Sequence, residues 1–158
     1  MQGGRYYEEF AVGDTYKHWP GRTITAADNT WFTLLTMNQH PLHFDKEYCK
    51  HSEFGKPLVN STMTLSIVAG MSVSDVSQKT IANLGWKEVN MPAPVFIGDT
   101  LYAESEVLEI RESKSRPTAG IVTVRTLGKN QDGVVVMDFV RSMLIPKTGH
   151  AVDDKAGY

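Results

Sequence analysis

Apolar and polar residues change their spacing along the chain, and each change marks an element. From Ile81 to Val89, Thr100 to Ile110, Gly120 to Leu127 and Val134 to Ile145 the two kinds alternate, as in Val122 and Val124 against Thr123 and Arg125. A two-residue period is that of strands with one buried face. Gly98-Asp99, the Ser113 to Pro117 segment and Asn130-Gln131-Asp132-Gly133 supply turns, the last two joining successive antiparallel strands. Gly13 to Ile24 carries Tyr16, Trp19 and Ile24 among polar residues, and Pro20-Gly21 interrupts it, which reads as a short or edge strand.

Two segments have helical spacing. Thr25-Ala26-Ala27-Asp28 has the form of a capping box, and Trp31, Leu34, Leu35 and Phe32 then make an apolar stripe. This helix is expected to end near Met37 or Asn38, because Pro41 disfavours helical geometry at His40 and cannot continue the ladder. From Leu58 to about Val76 apolar residues lie on most sides with Ser61, Ser66, Ala69 and Gly70 between them, the pattern of a buried helix.

One buried helix followed by about four long antiparallel strands predicts an α+β fold in which the sheet wraps around a central helix, the hot-dog arrangement. No repeat or linker divides the chain, so residues 1–147 are expected to form one domain and residues 148–158 a C-terminal tail. So small a sheet leaves edge strands exposed, and a homodimer with a continuous sheet is the expected remedy.

Charge narrows the partners. With 16 basic and 18 acidic side chains the net charge is -2, so neither nucleic acid nor anionic lipid is an expected partner. Apolar runs fall far below the ~20 residues that span a bilayer, and the start of the chain lacks the pattern of a secretory signal. Cys49 stands alone and no Cys/His cluster suggests a metal, which fits a soluble cytoplasmic protein.

The densest group of titratable and amide side chains is Asn38-Gln39-His40-Pro41-Leu42-His43-Phe44-Asp45, immediately past the first helix. Imidazole is the side chain best matched to proton transfer near neutrality, and the proline between the histidines fixes the backbone. On composition alone, His40 and His43 read as surface or capping histidines. Asp45 reads as a cap of the following turn, and Cys49, with only His51 nearby, as structural.

Met37-Asn38-Gln39-His40-Pro41-Leu42-His43 resembles the motif of the MaoC-like and (R)-specific enoyl-CoA hydratases, Gly-Asp-x-Asn-Pro-(Ile/Leu/Val)-His. The resemblance continues through Phe54 to Ser61 and through Pro94 to Leu101, in the family's order. It implies a hot-dog enzyme that adds water to, or removes it from, an enoyl-CoA thioester, with CoA as part of the substrate and no separate cofactor. Carried onto this chain, the catalytic His falls on His43, the Asp position is Asn38 and the Asn position is His40. An amide orients water but cannot take its proton, so Asn38 departs from the family in chemistry.

Three consequences stay open: His43 acts as both acid and base with Asn38 positioning water; the altered pair marks a subgroup for branched or carboxylated acyl-CoA; or activity is lost and binding kept. The first two together are preferred, because this segment, with Ser113 to Pro117 and Asn130-Gln131, resembles members acting on mesaconyl-CoA or itaconyl-CoA. Asn60, Ser61 and Thr62 at the start of the central helix are the expected thioester-oxygen donors, or a plain N-cap. Lys114, Arg116 and Arg141 are the expected contacts to CoA phosphates, with Lys56 a weaker one. An acyl-CoA thioesterase is disfavoured, because no Asp or Glu lies between Leu58 and Ser74. A non-catalytic acyl-CoA binding module is the remaining alternative.

Overall fold

The alternating segments form one antiparallel sheet. In the computed structural model, which describes residues 3–157, the strands are β1 (Thr15–Thr23), β2 (Ala82–Asn90), β3 (Thr100–Glu112), β4 (Ala119–Lys129) and β5 (Val135–Pro146). Met1, Gln2 and Tyr158, at the ends of the N-terminal stretch and of the expected tail, lie outside the described residues. Sheet order is β1-β3-β4-β5-β2, so β1 and β2 are the edges. Pro20 and Gly21 fall where the β1–β3 register shifts between His18 and Arg22, a bulge on an edge strand that tolerates a residue without an amide hydrogen.

Three further helices, α1 (Ala26–Leu35), α2 (Lys46–Cys49) and α3 (Ser61–Met71), precede β2, and α4 (Val152–Ala156) ends the chain. The central helix α3 lies in the curve of the sheet, with Met63 and Val68 buried against Leu101, Met137 and Phe139. It can sit so close because residue 128 is glycine: a Cβ there would lie 2.6 Å from Cγ2 of Val68. Its far end runs through a π turn, Val73–Ser77, into a second cluster of Val76, Val122, Val124 and Met143. A buried polar chain ties that end to the sheet. His18 bonds Asp75 at one ring nitrogen and Ser105 at the other, both at 2.8 Å, and Ser105 bonds Thr126.

Three expectations need correction. First, α3 is not buried all round: Met63, Thr64 and Val68 are buried, whereas Ser61, Thr62, Ser66 and Gly70 are exposed, because five strands curve round only one side of it. Second, the apolar stripe of α1 is not its buried face: Trp31 is 76% and Leu35 80% exposed, Phe32 packs only partly buried against the core, and the residues α1 buries are Asn29 and Thr33. Third, the segment after Lys147 is not a loose tail. Ala151 is buried, and α4 is fastened by Lys79 Nζ to Asp153 at 2.7 Å and by Tyr6 Oη to Asp154 at 2.6 Å.

Among the described residues no helix is long and apolar enough to cross a membrane.

Candidate functional site

The turn after α1 is built by local backbone chemistry. Thr25 caps the helix as expected, exchanging bonds with Asp28 at 3.1 and 2.9 Å. The helix stops at Leu35, and Met37 takes φ 63°, which lets Asn38 N–H reach back to the Thr33 carbonyl at 3.0 Å. This left-handed end is the usual way a helix satisfies its last carbonyls. Asn38 Oδ1 then accepts from His40 N–H at 3.0 Å, and His40 Nδ1 accepts from Leu42 N–H at 3.1 Å. A single 3-10 turn, Pro41–His43, brings His43 round, and Asp45 caps α2 by accepting from Glu47 and Tyr48.

His43 Nδ1 lies 2.9 Å from the carbonyl oxygen of Leu58. A carbonyl only accepts, so Nδ1 carries the hydrogen and the neutral ring keeps its lone pair on Nε2. That tautomer can take a proton from water. The His40 ring stands edge-on to His43 and to Tyr48, each with centroids 6.1 Å apart.

Asn29, fully buried, joins the pieces. Its Nδ2 donates to the carbonyls of His43 at 2.7 Å and Leu58 at 3.1 Å, and its Oδ1 accepts from Asn60 N–H at 2.9 Å. Thr33, one turn on, accepts from Asn60 Nδ2 at 3.3 Å. No sequence motif contains this pair. The signal that could have found them is polar residues at positions i and i+4 on the side of α1 opposite its apolar stripe.

Asn60 caps α3, and its Oδ1 accepts from Thr62 N–H at 3.0 Å and Thr62 Oγ1 at 2.6 Å. Of the three expected thioester donors, the Asn60 and Thr62 amides are already engaged, by Asn29 and by the Asn60 side chain, while no described hydrogen bond takes that of Ser61. Ser61 also lines a cavity of about 280 Å³ at this end of the helix, with Thr64 and apolar walls that include Leu58, Val59, Val95 and Met137. No charged side chain lines it. His43 is thus tethered to a residue of the cavity wall. Lys56 Nζ sits 4.1 Å over the ring of Phe96, which packs edge-on to Phe54 in that wall.

The other expected cations lie elsewhere in the protomer. Lys114 and Arg116 are exposed in the β3–β4 turn, beside the Ala119–Pro146 end of the sheet. The cavity takes Met137 from the other end of β5, so at ~3.3 Å per residue the two are about 30 Å apart along the strand. Arg141 is buried at the far end of α3, donating to Ser72 Oγ at 2.9 Å and packing over Trp86. Burial pushes its guanidinium below the usual arginine range. The Cys49 thiol is raised, by burial first and then by Asp45, and its sulfur lies against the Leu42 carbonyl at 3.2 Å, a structural residue rather than a nucleophile. Among the described residues no group of three or more His, Cys, Asp or Glu could hold a metal.

Comparison with known proteins shows the family and the fold. Residues 9–130 match the family described as MaoC like domain. The chain is 35% identical over 144 residues to a mesaconyl-CoA hydratase of Cereibacter sphaeroides, covering 91% of this chain and 42% of that protein. It overlays a MaoC-like dehydratase of Rhodospirillum rubrum with a TM-score of 0.80 at 31% identity, over 91% of this chain and 98% of the other. A Mycobacterium tuberculosis protein with a double hot-dog fold, 23% identical, overlays at a TM-score of 0.86 across 95% of this chain and 48% of its own, which shows the fold. The chain spans about two-fifths of the length of the mesaconyl-CoA hydratases that it matches.

Proposed function

Since the chain belongs to the MaoC-like domain family and has the hot-dog fold, we propose that it is a hydro-lyase that interconverts an enoyl-CoA and its 3-hydroxyacyl-CoA. The observation that carries this reading is His43 Nδ1 bound, at 2.9 Å, to the carbonyl of Leu58, on the segment that leads into the start of α3. Water held between His43 Nε2 and the amide of Asn38 gives a proton to Nε2 while its oxygen bonds to the β-carbon. Electron density moves to the thioester oxygen, where the Ser61 amide and the positive end of α3 stabilise it. The proton on Nε2 then passes to the α-carbon, so the balance is one water added across the double bond. Dehydration runs the same steps in reverse.

The substrate class proposed is a branched or carboxylated enoyl-CoA such as mesaconyl-CoA or itaconyl-CoA. It is supported by the names of relatives, a mesaconyl-CoA hydratase and a beta-methylmalyl-CoA dehydratase. An amide at position 38 also removes a negative charge that would repel a substrate carboxylate. Lys56, whose Nζ stacks on Phe96 against Phe54 of the cavity wall, is the proposed contact for an anionic group of the substrate. A homodimer is proposed from the bare face of α3 and the exposed edge strand β2, where Leu84 and Trp86 reach solvent. A strictly monomeric species in sedimentation at micromolar concentration would remove it.

The test of activity is absorbance at the enoyl thioester band with crotonyl-CoA, mesaconyl-CoA and itaconyl-CoA supplied in parallel. Loss of the band with the wild-type protein and not with His43→Ala is the expected result. Saturable binding with no loss of the band across the panel would instead select a non-catalytic acyl-CoA binding module, the reading that the missing carboxylate at Asn38 favours.

A further inference from the structure

We infer that Asn29 is a positioning residue of the reaction: its carboxamide, touching no substrate, holds His43 and the start of α3 in one geometry and fixes which nitrogen of His43 is the base. The inference rests on the hydratase reading for its kinetic part and on geometry alone for the rest.

A carboxamide has two N–H donors and one carbonyl acceptor, and Asn29 uses all of them. Both donors go to main-chain carbonyls, those of His43 at 2.7 Å and Leu58 at 3.1 Å, and the oxygen takes the Asn60 amide at 2.9 Å. The flipped amide would face two carbonyls with an oxygen and an N–H with another N–H, so only one orientation is compatible with these partners. The side chain is 0% exposed, and leaving any of the three partners without its bond in that setting is costly.

The three partners belong to three different pieces of the site. His43 carries the base, Leu58 carries the carbonyl that binds the imidazole, and Asn60 is the cap that sets the first turn of α3. The carbonyl of Leu58 receives both the Asn29 amide and the His43 ring, so its direction is defined from two sides. A carbonyl free to turn would let the ring turn with it and exchange the roles of its nitrogens. Proton transfer depends steeply on such alignment, and a misplacement of ~1 Å costs on the order of a hundredfold in rate.

The experiment combines kinetics and nitrogen NMR on histidine-labelled protein. The variants are Asn29→Ala, Asn29→Asp, which keeps the acceptor but not the amide donors, and Thr126→Val. The last removes a buried hydroxyl bond to Ser105 at the far end of α3, without touching His43, Leu58 or Asn60. In wild-type protein at a pH where His43 is neutral, the ring is expected to carry its hydrogen on Nδ1. Asn29→Ala and Asn29→Asp are expected to lower kcat roughly tenfold to a hundredfold with KM changed less than about threefold, and to mix the two tautomers. Thr126→Val should lose thermal stability while keeping kcat and the tautomer. A wild-type ring protonated at Nε2 overturns the inference whether or not any variant folds. So does a folded Asn29 variant with the kcat and tautomer of the wild type, or a kcat loss matched by Thr126→Val. If the wild type turns over no enoyl-CoA the hydratase reading fails, and the NMR measurement still decides the role of Asn29.

Discussion

His43 and Asn29 bond to the same atom. The imidazole and the carboxamide both converge on the carbonyl oxygen of Leu58, at 2.9 and 3.1 Å, so the reactive ring is held by the backbone of one segment and that backbone by the side chain of another. The base of the proposed reaction needs no carboxylate to orient it, which is consistent with a chain that has an amide at position 38.

Replacing Asn38 by Asp separates its two roles. The Asn38 Oδ1 that accepts from His40 N–H at 3.0 Å is preserved by an aspartate, so the turn should survive. If Asn38 touches the reacting water, the pH profile of kcat/KM should gain a limb in the carboxylate range, near pH ~4, because a second base becomes available. A profile superimposable on the wild type would confine Asn38 to the turn.

Gly128→Ala should destabilise by about 1–3 kcal/mol, as overpacking does. The new methyl would lie 2.6 Å from Cγ2 of Val68 and 3.1 Å from Cβ of Met137. Combining it with Val68→Ala, which empties that space, should cost less than the sum of the two single changes in a denaturation cycle. Additive losses would mean that α3 does not touch the sheet at this glycine.

Alkaline stability should depend on Tyr16. Burial first, and then the bond to Asp14 at 3.1 Å, raise its phenol from 10.0 to about 12. The folded state therefore holds this proton more tightly than the unfolded chain. The contribution is fully present below pH ~10 and is lost as pH rises from there through about 12. Tyr16→Phe keeps the ring against Phe10 and should flatten the fall in Tm between those limits. An unchanged fall would assign it to other groups.

Truncation after Lys147 tests the docking of α4. It would leave Lys79 buried without Asp153, now 2.7 Å away, and should destabilise by about 1–3 kcal/mol in chemical denaturation. A truncated chain as stable as the full one would restore the C-terminal tail expected from the sequence.

Much of the sheet was legible, because alternation is a direct imprint of a sheet with two unlike faces: β2 to β5 lie within a few residues of their predicted spans. The turn bearing His40, Pro41 and His43 was legible too, since a proline limits its neighbours wherever it stands. What was not legible depends on contacts made at a distance. The stripe of Trp31, Leu34 and Leu35 marks the helix but not the direction in which it faces, and Asn29 and Thr33 face inward because Asn60, about thirty residues on, bonds to both. Arg141 could be read as a surface cation because nothing local shows that Ser72 and Trp86 enclose it.

The polar underside of α1 has a consequence for how the molecule opens. Apolar contact loosens by degrees, whereas a set of hydrogen bonds that share donors and acceptors is either complete or broken. Asn60 N–H is bonded to Asn29, and Leu58 N–H is bonded across to the Leu42 carbonyl in the turn before His43. These amides cannot be released singly without leaving partners stranded. In deuterated solvent they should exchange at one common rate, as a single opening unit that includes the base.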